Sequence, residues 1–139
     1  RALLRVQRPR TEQRGAALGD FDRNGKVDLA VSQNNGETKL YLNNTARAGL
    51  RVQLVGPEQN RDAIGSSIRI VYKDGSKGPR RAIQAGSGYW SQNSTAQVIG
   101  TSSEPDKIEV TWFDGATETV GIIAGTEEYR ITYRGEAPQ

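Results

Sequence analysis

Short segments in which apolar and polar residues alternate constrain the fold of this chain more than any other feature. In DKIEVTWF, residues 106–113, alternate side chains are apolar, so Ile108, Val110 and Trp112 would share one face of an extended strand. Glycine is frequent, with 16 among 139 residues, which suits many tight turns. No long window keeps a helical period. The sequence therefore predicts an all-β protein.

The other predicted strands are shorter, and turn-forming residues bound most of them. Asp-Gly pairs in KDGS (73–76) and FDGA (113–116) favour hairpin turns, and QNNGET (33–38) is a third predicted turn. The predicted strands are 3–6, 16–18, 27–31, 40–42, 50–55, 67–73, 106–113, 118–123 and 128–133, with 79–84 and 96–100 as weaker candidates.

The absence of histidine and cysteine limits the chemistry that the chain can perform. Disulfides, thiolate metal sites and Ser–His or Cys–His nucleophiles are excluded. A pair of carboxylates would suit glycoside hydrolysis, and Glu58, Asp62, Asp74 and Asp114 are the candidates. The hairpin turns already explain Asp74 and Asp114, so we expect no enzymatic activity.

The charge pattern does not favour a nucleic-acid partner. The formal net charge is +3, and basic residues recur near the start of the chain and in KGPRR (77–81). These runs lack the interleaved aromatic residues that stack on bases, so a solvated surface is the simpler interpretation. No apolar run is long enough to insert into a membrane. A sequence that opens at Arg1 and contains no methionine is expected to be part of a longer protein.

Oxygen-bearing side chains in GDFDRNGKVDLAV (19–31) follow the spacing of a calcium loop. Gly25, at the sixth position, permits the sharp turn, whereas the twelfth position is Val31 and not the Glu of an EF-hand. Hard oxygen ligands favour Ca²⁺ over transition metals, and the alternative is a solvated Asp/Asn-rich turn. The predicted ligands are the side chains of Asp20, Asp22, Asn24 and Asp28 and the carbonyl of Lys26.

The stretch GAALGDFDRNGKVDLAVSQNNGETKLYLNN (15–44) resembles an FG-GAP (VCBS-type) repeat, the blade unit of integrin-like β-propellers. The resemblance implies a Ca²⁺ loop that stabilises a strand connection. Asn24 stands where many members have Asp, which lowers the charge of the site. A single blade would pack its free face on the rest of the chain or on a second copy.

The remainder is similar to the ASPIC/UnbV domain, which commonly follows FG-GAP repeats in extracytoplasmic proteins. GLRVQLVGPEQNRDAIGSSIRIVYKDG, GSGYWSQNS and DKIEVTWFDG carry the similarity. Many members have a His-Phe-Gly-Leu-Gly-like segment where this chain has AQVIGTSS (96–103), so no role of that histidine transfers. We expect a single blade-like meander at 1–46, a small β-sandwich or barrel at 47–134, and a tail at 135–139.

Two loops of the second module are candidate binding sites. Tyr89 and Trp90, beside Gln92, would stack on a sugar and bond its hydroxyls, unless Trp90 instead plugs the end of the core. The second loop contains Asn60, Arg61 and Asp62. These residues would form a polar pocket or, alternatively, a capped turn in which Asn and Asp bond local backbone groups.

These features predict a calcium-stabilised, non-enzymatic recognition or adhesion module that binds a glycan or an extracellular protein. The resemblance implies a secreted or cell-surface location. The alternative is an accessory domain of a biosynthetic (enediyne-type) or hydrolytic enzyme whose catalytic part lies elsewhere.

Overall fold

The computed structural model describes residues 12–135, which form strands and one short 3₁₀ helix, so the all-β prediction is confirmed. The predicted strand at 3–6 lies outside the described residues. Within them, no helix has the length and apolar character needed to cross a bilayer. The strands are β1 (Gln13–Gly19), β2 (Asp28–Gln33), β3 (Lys39–Tyr41), β4 (Leu50–Val55), β5 (Ser67–Tyr72), β6 (Arg81–Ala82), β7 (Gln97–Ile99), β8 (Pro105–Thr111), β9 (Thr117–Gly121) and β10 (Glu128–Thr132), with the 3₁₀ helix at Glu58–Asn60.

The strands form three small sheets, none of them closed. The first is the antiparallel meander β1-β2-β3, and the others have the orders β10-β4-β7 and β6-β5-β8-β9. Strand β10 runs parallel to β4, with Glu128 opposite Arg51, whereas β4 and β7 are antiparallel. Because neither sheet of the second module is closed, the predicted barrel is not formed.

The core lies between the second and third sheets. Strand alternation directs Val52 and Leu54 of β4 toward Ile68 and Ile70 of β5, and all four are nearly inaccessible to solvent. Trp112, which follows β8, is 4% exposed and belongs to the same cluster. Among the described residues, every buried member of this cluster comes from residue 52 onward.

The predicted turns are present. Gly75 and Gly115 have φ values of 83° and 90°, which favour glycine, and FDGA joins β8 to β9. Asp74 and Asp114 accept hydrogen bonds from the backbone N–H groups of Ser76 and Ala116. In the turn after β2, Asn35 takes the left-handed conformation with φ 56°.

The first sheet contacts the second module at the end of β1 and along the loop that follows. Leu18 donates its N–H to Asn93 Oδ1 at 2.9 Å, and its carbonyl accepts the N–H of Ser94 at 2.8 Å. Gly49 donates its N–H to the carbonyl of Gly25 at 2.8 Å. These hydrogen bonds connect the meander to the second module. Large apolar residues of the meander and its loops nevertheless remain exposed. They are Leu18, Phe21, Val27, Leu40, Tyr41 and Leu42.

Gly56→Ala tests the close turn that follows β4. A Cβ at position 56 would lie 2.1 Å from the carbonyl oxygen of Asn60, so the turn must shift. We expect the free energy of unfolding to fall by about 1–3 kcal/mol, the usual cost of overpacking, in urea titrations. Gly121→Ala is the control, because a Cβ there meets nothing within 4 Å. Equal stability of the two variants would contradict this account of the turn.

Candidate functional site

The carboxylates of the predicted calcium loop converge at one end of the β1–β2 hairpin. Gly19, the last residue of β1, pairs with Asp28, the first of β2, so Asp20 and Asp28 lie at the same end. One oxygen of each of Asp20, Asp22 and Asp28 lies within 4.8 Å of the other two. Asp20 and Asp28 are 7% and 2% exposed, and Asp22 is exposed.

Backbone N–H groups hold the two buried carboxylates in place. Asp20 accepts hydrogen bonds from the N–H groups of Asn24 at 3.0 Å and Gly25 at 3.1 Å. Asp28 accepts the N–H of Phe21 at 2.9 Å and that of Asn43 at 2.8 Å. Asp28 thereby ties the loop to the residues that follow β3, while Asp20 sets the curvature of the loop. These bonds offset the cost of burying charged groups.

The other two predicted ligands, Asn24 and Lys26, contact the loop itself and the residues after β3. Asn24 accepts the N–H of Lys26 on its Oδ1 at 2.9 Å and donates its Nδ2 to Asp22 Oδ2 at 2.8 Å. The side chain of Lys26 donates to the carbonyl of Asn44 at 3.3 Å. Gly25 has a φ of 75°, as the sharp turn at the sixth position requires.

The geometry of the cluster fits Ca²⁺. Because calcium–oxygen distances are about 2.3–2.6 Å, two oxygens on one ion lie at most about 5 Å apart. The 4.8 Å limit of the three carboxylates meets this condition. An oxygen-only donor set suits a hard divalent cation. The backbone N–H groups that bond Asp20 and Asp28 are also those of an Asp/Asn-rich turn, so the turn alternative is equally consistent with these contacts.

Two charged residues that sequence reasoning missed join this loop to the second module. Arg51 of β4 places its Nε 3.4 Å from Asp20 Oδ2 and donates its Nη1 to Glu128 of β10 at 2.7 Å. Arg23, in the loop, donates to both oxygens of Glu128 at 2.7 Å. Hydrogen bonding and charge from Arg23, followed by the charge of Arg51, lower the pKa of Glu128. The hydrogen bond with Glu128 and the charge of Glu128 in turn raise the pKa of Arg23. No local motif marks Arg51 and Glu128, because 77 residues separate them.

The aromatic pair lies on an exposed loop. Trp90 is 84% exposed with a φ of 53°, Tyr89 is 68% exposed, and their ring centroids are 6.0 Å apart in an edge-on arrangement. The alternative that Trp90 plugs the end of the core is wrong, because its indole is 84% exposed and is not part of the core cluster. Gln92 is also exposed on this loop.

The loop that carries Trp90 is anchored on both sides of its tip. Ser87 Oγ accepts the N–H of Asn93 at 2.7 Å, and Asn93 in turn accepts the N–H of Leu18. Tyr89 borders an open depression whose opposite wall is β1 and Val31 of β2. An exposed indole on an anchored loop is suited to stacking on a ligand ring, although Trp90 itself does not line this depression.

The segment around Asn60 forms a capped turn. Asn60 accepts the N–H of Ile64 on Oδ1 and donates Nδ2 to the carbonyl of the same residue, both at 2.9 Å. Arg61 lies 3.8 Å from Glu58 at the surface, and Asp62 accepts the hydroxyl of Thr95 at 3.3 Å. The turn interpretation therefore accounts for Asn60, whereas Asp62 contacts Thr95 of another segment.

Comparison with known proteins bears on the second module. Residues 56–138 match the model of a family described as ASPIC and UnbV. The matched range begins after the β1–β3 meander, so the FG-GAP resemblance of the first segment stays a prediction. No curated protein matches the chain.

Glu128→Gln tests the charged contact between the loop and β10. Because pairing holds the folded pKa of Glu128 below the unfolded value of about 4.3, its stabilisation is complete above that value and is lost as the pH falls through the folded pKa. We expect the variant to melt below the wild type at pH 7, and the difference to shrink below about pH 4.3. Melting curves are recorded with chelator present.

Glu127→Gln is the matched control, since it removes the same charge from an exposed neighbour. Its melting difference from the wild type should be small and should not follow the pattern of Glu128→Gln. A difference for Glu128→Gln that stays constant down to strong acid would contradict the ion-pair account.

Proposed function

Because the chain belongs to the ASPIC and UnbV family, we propose that it is a non-enzymatic recognition module of an extracytoplasmic protein, stabilised by Ca²⁺. The family has no known specific function and is often found in extracellular proteins. The module binds a glycan or a protein through the loop at Tyr89 and Trp90. The observation that carries this proposal is the 84% exposure of Trp90.

An exposed tryptophan of this kind is energetically unusual. Its indole is the largest apolar side chain, and water contact over most of its surface forgoes the gain available from burial. The left-handed backbone at Trp90 adds strain of about 1 kcal/mol or more for a residue with a Cβ. Both costs are offset if the ring stacks on a ligand, as a sugar face permits.

The calcium proposal rests on the carboxylate cluster and not on Trp90. Asp20, Asp22 and Asp28 would hold the ion, whose charge offsets the repulsion among them. The residues of this chain then keep the β1–β2 connection in shape: Asp28 through Asn43, and Asp20 through Arg51. The role is structural, since the two buried carboxylates leave little access for a substrate.

Glycan arrays test the recognition proposal. The wild type should bind one class of glycan, and Trp90→Ala should bind it at least tenfold more weakly, in line with loss of a central aromatic contact of about 1.4 kcal/mol or more. Ile123→Ala is the matched control, because it removes another exposed apolar side chain, 69% exposed, from the same module. An array on which neither wild type nor variant binds removes the glycan role and leaves a protein ligand and the accessory-domain alternative.

Chelation tests the calcium proposal separately. We expect EDTA to lower the melting temperature, because an ion at a hundred times its dissociation constant contributes about 2.7 kcal/mol of stability. Asp20→Ala should abolish the sensitivity to EDTA, and Asp22→Asn, at an exposed position that disturbs the fold less, should weaken it. Asp106→Asn, an exposed carboxylate of β8, is the control. A wild-type melting curve that EDTA leaves unchanged would refute a structural ion.

A further inference from the structure

The outward side of the third sheet carries a cluster of cations that the proposed function does not use. In the pairing of β5 with β8, Arg69 lies opposite Glu109 and Ser67 opposite Thr111. Ile68 lies between Ser67 and Arg69 and points into the core with 1% exposure. Alternation therefore places these four polar side chains on the surface away from the core.

Three cations share the single carboxylate of this surface. Arg69 donates to Glu109 through Nε at 2.7 Å and also through Nη2. Lys77 donates Nζ to Glu109 Oε2 at 3.0 Å. Arg80 Nη2 lies 3.8 Å from Glu109 Oε1, the oxygen that Arg69 contacts. We name Arg69, Lys77, Arg80 and Glu109 the cationic face. Three positive charges and one negative charge leave it with a surplus of two.

The surplus is fixed in position at neutral pH. Hydrogen bonds from Lys77 and then Arg69 lower the pKa of Glu109, so its carboxylate stays ionised. Arg80 donates Nη1 to Ser67 Oγ at 3.2 Å and to Thr111 Oγ1 at 3.0 Å, which orients its guanidinium over the sheet. Lys77 and Arg80 are each about half exposed, at 48%. Cations that are held in place before binding lose little conformational freedom when they bind an anion.

The neighbouring side chains narrow the chemistry of the anion. Thr119 and Thr117 of β9 lie opposite Glu109 and Thr111, so hydroxyl groups extend the cationic face by one strand. The outward residues of β5, β8 and β9 include no aromatic ring for stacking on a nucleic-acid base. Hydroxyls beside guanidinium groups suit a ligand that carries both hydroxyls and anions along its length.

From this arrangement we propose that the cationic face binds an acidic polysaccharide through its sulfate or carboxylate groups. The site is distinct from the Trp90 loop, since it lies on the third sheet while that loop docks on β1. The proposal does not depend on calcium or on the glycan role of Trp90. It gives the basic run KGPRR a function, because Lys77 and Arg80 belong to that run.

The test is binding of the intact chain to heparin as the sulfated probe and polygalacturonate as the carboxylated one, at about 0.15 M salt. Lys77→Gln and Arg80→Gln should each weaken binding roughly fivefold, the usual scale for one basic side chain near an anionic surface. Each should also reduce the dependence of affinity on salt by about one released ion. Arg130→Gln removes the same charge from an exposed position on β10 of the other sheet and should leave affinity unchanged.

Glu109→Gln provides a test in the opposite direction. It removes the only negative charge of the cationic face and keeps the shape of the side chain, so affinity should rise. Melting curves verify that each variant folds. Binding to one acidic polysaccharide and not the other identifies sulfate or carboxylate as the recognised group.

Three outcomes would overturn the proposal. The first is no binding of either acidic polysaccharide by the wild type. The second is an equal loss for Arg130→Gln and Arg80→Gln, which would show attraction to net charge alone. The third is binding of poly-glutamate or single-stranded DNA as tight as that of the polysaccharides, which would assign the face to another class of polyanion. Trp90→Ala should bind heparin as the wild type does, so failure of the Trp90 proposal would not affect this result.

Discussion

Arg51 joins the two parts of the chain through charge. Its side chain is only 14% exposed, and a guanidinium so placed requires anions close by. Asp20 supplies one from the loop that follows β1, and Glu128 supplies the other from β10. Arg23 completes the contact from the loop side. The loop, β4 and β10 are thereby held together, although they come from distant parts of the sequence.

This arrangement links the candidate metal centre to the sandwich. The same carboxylate that would bind calcium, Asp20, also lies against Arg51, whose backbone pairs with both β10 and β7. A cation among the three carboxylates is compatible with the guanidinium beside them. The cluster carries three negative charges, and of its three carboxylates Arg51 is paired with that of Asp20. Loss of order in the loop would therefore weaken the contact with Arg51 of β4, and displacement of β4 would weaken the same contact with the loop.

Sequence patterns predicted features that depend on neighbouring residues and not those that depend on distant ones. Alternation predicted the inward position of Trp112, because that residue lies at the end of a regular strand. It left Trp90 undecided, since a loop has no period, and only the fold shows the indole exposed. The spacing of Asp20, Asp22 and Asp28 likewise predicted that their carboxylates converge, because the three residues belong to one loop. The parallel pairing of β10 with β4 has no local signature, and the Arg51–Glu128 contact depends on it.

The two parts of the chain differ in what stabilises them. The sandwich buries a continuous apolar cluster, whereas in the described part of the β1–β3 meander the one buried large apolar residue is Val31. Exposed residues such as Leu40 and Tyr41 contribute little to the meander's stability in this chain, because their surface stays in contact with water. The meander therefore depends on strand pairing, on the hydrogen bonds of Asp20 and Asp28, and on the ion pairs with Arg51 and Glu128. The proposed calcium ion acts on this segment, where apolar burial is least able to maintain the fold.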